Sequence, residues 1–377
     1  MRILFVISGL GLGGAEKQVV LLAKELNRRG HAVSIYALST RRVRESDLSA
    51  TSVDLQFAPK SIRLDPRVLW RLRQHIGRWR PDIVHGFLFD GNLYARLAAA
   101  GSGVPVLDSE RSDNYALGSL HALGYFLTAG LSRGLVANSR SGAEFAARNY
   151  MRPGQDSHVV WNGIDLQEVD RRLAGAAAVA QEIVPGAELK RVAVVGTIKP
   201  AKDMQLAMRV ARKLADADNR WRMLVVGGEL PGASAEYKEQ VLQARDALGL
   251  HDIVHFAGSR RDVLEIMASC DAVLMTSRRE GFPNVVLEAM ACRTPVASTD
   301  YSDVRHILPF DWQVVSSRDD GELAQALLRC DREHAPVAAA QRQWVETHAT
   351  AAVCADRLLS IYGTYAAMDG AAAEQVG

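Results

Sequence analysis

Few marks of an extracellular, membrane-spanning or metal-bound protein occur in this chain. Its four cysteines, Cys270, Cys292, Cys330 and Cys354, are scattered through the second half of 377 residues without a C-x-x-C pair. That spacing argues against a disulfide framework and against a thiolate metal site, and it fits reduced thiols in the cytosol. No apolar run reaches about eighteen residues, so no membrane-spanning helix is expected. The start, MRILFVISGLGLGGAEK, has one Arg and an apolar stretch, but its glycines and the amphipathic segment after them read as a first β-strand rather than a leader. A net charge of +2 excludes a polyelectrolyte character. The charge is nonetheless uneven: the first 150 residues carry 20 Lys and Arg against 12 Asp and Glu, the remainder 25 against 31. A basic N-terminal half suits an anionic surface, whereas nucleic acid is the weaker partner because no recognisable binding module accompanies the basic residues.

What is present is strand and helix in alternation. Strands are expected at 3–7, 32–38, 53–57, 83–85, 104–107, 134–138 and 158–161, then at 192–195, 223–226, 253–256, 272–275 and 295–298. Helices are expected at 15–28, 66–79, 93–100, 117–131 and 142–150, between the later strands, and at 336–347 and 351–366. Such alternation means βαβ units around parallel sheets, and the length allows two domains.

Residues 274–299, LMTSRREGFPNVVLEAMACRTPVAST, carry the most chemistry. The apolar run Ala272–Met275 reads as a buried strand, and Val285, Val286, Ala289 and Met290 recur at helical spacing after Pro283. A strand, a tight Gly281-Phe282-Pro283-Asn284 turn and a helix N-terminus place backbone N–H groups at the C-terminal edge of a parallel sheet. Such an edge attracts an anion, commonly a phosphate. Glu280 and Glu288 beside it offer acceptors to sugar hydroxyls. The expected ligand is half phosphate, half carbohydrate.

This passage resembles the E-x7-E motif of the family-4 retaining glycosyltransferases, which have the GT-B architecture of two facing Rossmann-like domains. The resemblance implies that Glu280 contacts a donor sugar and Glu288 the nucleotide ribose. The backbone of Gly281, Phe282, Asn284 and Val285 would meet sugar and diphosphate. Gly196-Thr197-Ile198-Lys199-Pro200-Ala201-Lys202 resembles the family's phosphate clamp, with Lys202 in the place of its lysine. Thr197 departs from the pattern, because the family usually has Arg there and a hydroxyl supplies neither charge nor a bidentate fork. Gly13 and Gly14, in a GGAEK string, resemble the family's opening loop beside the donor.

Gly9, Gly11 and Gly14 also fit G-x-G-x-x-G, the dinucleotide fingerprint, with Arg41 and Arg42 suited to an NADP phosphate. His85, at the end of a PDIVH strand, and Arg111, in the loop where many family members carry a His, are further candidates for the catalytic edge. Lys60–Arg80 holds seven Lys and Arg with Trp70 and Trp79, a pattern that fits either a helix lying on anionic lipid or an ordinary amphipathic Rossmann helix.

The resemblance thus implies a GT-B α/β fold, a cleft between the domains and a C-terminal helix crossing back. The domains expected are 1–165, a linker 166–189, a donor domain 190–347, a crossover helix 348–366 and a tail 367–377. The function implied is transfer of a sugar from a nucleotide diphospho-sugar, UDP in preference to GDP, to a glycan or polyprenyl-linked acceptor with retention. Surface polysaccharide or glycolipid synthesis at the inner face of the cell membrane is the setting that fits. No metal and no cofactor beyond the co-substrate are expected. The alternatives are a nucleotide-sugar epimerase of the same fold and an NADP-dependent oxidoreductase.

Overall fold

The computed structural model describes residues 1–111, 119–174, 179–228 and 235–374, with the side chains of 119–121 and 368–374 left aside. The chain divides into two compact units, Met1–Gly163 with the C-terminal segment from Ala351, and Ile164–Thr350.

In the first unit the order is β1 (Arg2–Ile7), α1 (Gly14–Arg28), β2 (Ala32–Ala37), β3 (Asp54–Phe57), α2 (Pro66–Trp79), β4 (Ile83–Phe87) and α3 (Leu88–Ala99). It continues with β5 (Val106–Glu110), α4 (Ser119–Thr128), β6 (Gly134–Ala137), α5 (Arg140–Asn149) and β7 (Asp156–Val159). These strands form one parallel sheet of seven, ordered β3-β2-β1-β4-β5-β6-β7. Helices cover both faces, which is why every residue of β4 is buried, His85 included, and β1 is an apolar run buried from Ile3 to Ile7.

The second unit begins with α6 (Leu166–Leu173) and α7 (Val179–Ile183), followed by β8 (Lys190–Val195), α8 (Met204–Ala217), β9 (Trp221–Val226), α9 (Ala235–Ala247) and β10 (Val254–Gly258). Next come α10 (Val263–Ala268), β11 (Ala272–Met275), α11 (Asn284–Ala291), β12 (Val296–Thr299), α12 (Val304–Ile307), β13 (Val314–Val315), α13 (Asp320–Arg332) and α14 (His334–His348). Its parallel sheet of six runs β10-β9-β8-β11-β12-β13. The strand order therefore reverses at β8/β11, as it reverses at β1/β4 in the first unit.

All twelve expected strands are present, shifted by a few residues at their ends. The two-residue β13 was not expected, since Val314-Val315 is too short a run to signal a strand. Residues 166–189, expected as a linker, carry two helices tied to the second unit. Arg172 holds Glu265 through two bonds of 2.8 and 2.6 Å, and Arg342 holds Asp170 at 2.7 Å. The helix expected at 117–131 is α4 followed by a short 3-10 turn, Ala129–Leu131; position 117 lies outside the described residues.

The last helix, α15 (Ala351–Glu374), returns the chain to the first unit and runs past the expected start of a tail at 367. Its Cys354, Leu358, Tyr362 and Tyr365 pack into the core under α1 and β1. Tyr362 also meets His85: the imidazole Nδ1 lies 2.5 Å from the Tyr362 hydroxyl and Nε2 lies 2.7 Å from Ser109 Oγ. His85 is fully buried, and burial, with the Arg111 charge second, holds its pKa well below 6.5.

That depression makes a pH prediction. The unfolded chain takes up a proton on His85 near 6.5, while the folded chain does not until lower pH. Stability is therefore fully present above that value and falls below it, by up to about 1.4 kcal/mol per pH unit. Thermal melts between pH 7 and pH 5 should show this slope, and His85→Gln should flatten it. An unchanged slope in the variant would remove His85 from the account.

Candidate active site

At the reversal between β8 and β11, neighbouring crossovers leave the sheet on opposite faces, so the C-terminal strand ends border a crevice. The loop after β8 starts at Gly196, whose φ of 146° excludes an ordinary side chain. A Cβ there would also sit 2.9 Å from Lys202 Cε, and a Cβ on Gly227 would lie 2.0 Å from the Gly196 carbonyl oxygen. Without side chains in the way, the turn Pro200–Lys202 folds the Lys202 stem back across Gly196.

Lys202 is only 8% exposed, and its Nζ donates to Glu280 Oε1 at 2.7 Å. The two loops are joined along their length. Thr276 Oγ1 donates to the Lys202 carbonyl at 2.7 Å, and the Arg278 amide donates to the Ala201 carbonyl at 2.8 Å. Ser277 Oγ donates to the same Glu280 oxygen at 2.5 Å. Asp203, in the left-handed region at φ 46°, caps α8 and accepts from Arg318 at 2.6 Å and Arg278 at 2.8 Å. Arg318 also donates to the carbonyls of Thr276 and Ser277, so one guanidinium holds both loops.

The turn after Glu280 enters α11 with no side chain capping its N-terminus. The Asn284 amide donates to the Phe282 carbonyl at 2.9 Å, and the dipole at this helix end favours negative charge. Phe282 is 3% exposed, so its ring is packed inside the turn. Asn284, Val285 and Glu288 are half-buried along one side of α11, opposite the buried Val286 and Met290. Gly281 is half-exposed, and its carbonyl accepts from Ser302 Oγ at 3.1 Å. Thr197 is half-exposed beside Gly196 and brings no charge. The structure thus gathers Gly196, Thr197, Lys202, Glu280 and the α11 N-terminus at one strand edge. It adds Ser277, Arg278, Asp203 and Arg318, which sequence reasoning missed. Ser277 and Arg278 adjoin the motif, but Arg318 lies far along the chain and had no signal.

The first unit presents the remaining candidates differently. Gly13 and Gly14 are exposed at the N-terminus of α1. The Glu16 carboxylate folds back into the space a Cβ on Gly13 would fill, so an anion binding there must displace it. Arg42 lies over the Phe57 ring at 4.1 Å and pairs with Glu45 at 3.2 Å, which engages one of the two cations suited to an NADP phosphate. His85 has both ring nitrogens bound inside the core and reaches no solvent, which gives it a structural part in holding α15. Arg111 is 8% exposed at the end of β5; Nη1 donates to Asn162 Oδ1 at 2.9 Å, while Nε and Nη2 find no hydrogen-bond partner among the described residues. Burial lowers its pKa to about 10, which leaves it charged at neutral pH.

Both sheets with their strand reversals define a GT-B class of fold. Solved structures agree: Alr3699/HepE of Anabaena in complex with UDP matches with a TM-score of 0.80 at 18% identity, over 97% of this chain and 100% of that one. The lipopolysaccharide outer core galactosyltransferase WaaB in its apo form matches with a TM-score of 0.70 at 16% identity, over 97% and 100%. Residues 12–168 match the model for Glycosyltransferase Family 4 and residues 189–332 the model for Glycosyl transferases group 1. The chain belongs to this glycosyltransferase family.

Among curated relatives, D-inositol 3-phosphate glycosyltransferase of Mycobacterium sp. (strain KMS) is 31% identical over 166 residues, 44% of this chain and 36% of that protein. The same enzyme of Mycolicibacterium paratuberculosis is 32% identical over 200 residues, 51% and 43%. The match spans well under half the length of these two relatives.

The Lys202–Glu280 pair predicts a separation of binding from turnover. Glu280→Gln frees Lys202 for an incoming phosphate, so Kd for UDP should fall several-fold, about 1 kcal/mol. Calorimetry checks this; weaker UDP binding in the variant would contradict the pairing.

Proposed function

We propose that the chain transfers a glycosyl group from a nucleotide diphospho-sugar to an acceptor hydroxyl with retention of anomeric configuration. The observation that carries this reading is the 2.7 Å Lys202–Glu280 contact at the strand reversal, beside an uncapped helix N-terminus. Lys202 and the α11 amides would hold the diphosphate, Glu280 the sugar and Glu288 the ribose. In the reaction the bond from the anomeric carbon to the phosphate oxygen breaks and the acceptor oxygen bonds to that carbon on the same face. The acceptor proton passes to the departing phosphate. Negative charge grows on the diphosphate, where a cation and a helix dipole already in place are most effective. That arrangement supplies charge without a divalent ion, so turnover should persist in EDTA.

UDP is the favoured nucleotide, supported by one structural neighbour, Alr3699/HepE, whose structures hold UDP and UDP-glucose. The acceptor we favour is a glycan or polyprenyl-linked sugar bearing an anionic group, used in surface polysaccharide or glycolipid synthesis at the inner face of the membrane. Arg111 supports the anion. Among the described residues two of its donors lack a hydrogen-bond partner, and so does the buried Asn138 Oδ1, which follows the neighbouring strand at the same level. A buried charge short of partners is costly, and an acceptor phosphate or carboxylate would supply them. No helix among the described residues is long and apolar enough to cross a membrane, so membrane contact would be peripheral.

Glu280→Ala should lose turnover by about two orders of magnitude or more with nucleotide binding retained. Lys202→Ala should instead weaken UDP binding at least tenfold. Unchanged kinetics in both variants would end the assignment. Arg111→Met should raise KM for an anionic acceptor about tenfold without moving donor Kd. An equal effect on an uncharged acceptor would refute the anion reading.

A further inference from the structure

Among the described residues, nine large apolar side chains are at least 41% exposed, and all nine lie in the first unit. Three share one short helix. Leu123, Phe126 and Leu127 on α4, at i, i+3 and i+4, are 54%, 61% and 65% exposed, and Leu131 continues the stripe just beyond the helix. The segment SLHALGYFLT contains no Asp, Glu, Lys or Arg. A surface helix normally turns its charged face to water.

This outward stripe is held in place from behind. Tyr125, on the opposite side of α4, is 1% exposed and packs with Leu135, Ala137 and Tyr150. Arg96 of α3 donates to the Tyr125 carbonyl at 3.1 Å and to Thr128 Oγ1 at 3.0 Å, while its other nitrogens bind Asp108 in β5. The helix therefore cannot roll to hide Leu123, Phe126 and Leu127 without giving up both hydrogen bonds from the buried Arg96 guanidinium.

α3 packs against both α2 and α4, so the three helices form one layer on one face of the sheet. α2 turns Val68, Leu72 and Ile76 inward. Outward it shows Trp70, 60% exposed, together with the exposed Arg67, Arg71 and Arg78. The one acid of Lys60–Arg80, Asp65, is buried and neutralises Arg67 alone. One layer thus combines a charge-free apolar ridge with a row of guanidinium groups. A second copy docked face to face would bring two guanidinium rows together; a bilayer with anionic headgroups complements both halves.

We propose that this layer is a membrane-docking face, in which the α4 stripe enters the interfacial region and the α2 arginines meet anionic headgroups. It gives the peripheral membrane contact proposed above its physical site and rests on that contact, not on the donor chemistry. The test accordingly uses vesicles without nucleotide sugar. The full chain should co-sediment with phosphatidylglycerol–phosphatidylcholine vesicles and far less with phosphatidylcholine alone. The triple change Leu123→Ser, Phe126→Ser and Leu127→Ser should lose at least about tenfold of this binding. Arg71→Glu with Arg78→Glu should remove the preference for anionic vesicles. Melting temperature and hydrolysis of the donor should stay unchanged in both variants, because all five side chains point to solvent.

Absence of binding by the full chain, or a triple variant that binds like the parent, would overturn the proposal. So would a dimer of the full chain that the triple variant dissolves, because the stripe would then belong to a second copy. None of these results bears on glycosyl transfer, which is read from turnover.

Discussion

Charge at a strand reversal is the constraint on which the second unit is organised. Parallel strands end at one edge, and only where the crossovers diverge does that edge open. At β8/β11 the opening is filled by a lysine lying on a glycine and a glutamate lying on a helix entry. Each is mostly buried, so neither charge stands comfortably alone; removing one partner of such a pair typically costs about 3–5 kcal/mol. The surrounding bonds from Thr276, Ser277, Arg278 and Arg318 hold the two loops at the spacing the pair requires. A preorganised pair of this kind costs little rearrangement when a diphosphate arrives, since Lys202 only exchanges one anionic partner for another.

The first unit repeats the topology with different chemistry. At its own reversal, β1/β4, the glycine turn is occupied by Glu16 rather than by a cation, and His85, in the middle of β4, is sealed between two hydroxyls. A buried cation, Arg111, stands one strand further along, at the end of β5. Duplicated topology has thus not duplicated the side chains at the strand ends: in the proposed reading one sheet edge takes an anion at the reversal, the other beside it. The same unit carries the exposed apolar side chains, which fits a unit turned toward a larger or more hydrophobic partner.

The legible parts of the structure were those written in local pattern. Central strands buried on both faces, such as β1, β8 and β11, appear as apolar runs and were recognisable for that reason. Lys202 and Glu280 were legible because each lies in a motif whose spacing follows from a strand, a turn and a helix. Arg318 and Asp203 were not, because a guanidinium reaching across the chain to two carbonyls leaves no trace in spacing. His85 was ambiguous because a strand end can point to solvent or to a returning helix, and only the path of α15 decides. The same limit hid the outward stripe of α4: with apolar residues on both sides of a helix, periodicity cannot say which side meets the sheet.

A crystal structure of the chain with UDP bound tests the account most directly. The pyrophosphate should lie within hydrogen-bond reach of Lys202 Nζ and the α11 N-terminus, with the ribose at Glu288. A nucleotide seated instead on the Gly9–Gly14 turn of the first unit, with Lys202 still paired only to Glu280, would contradict it.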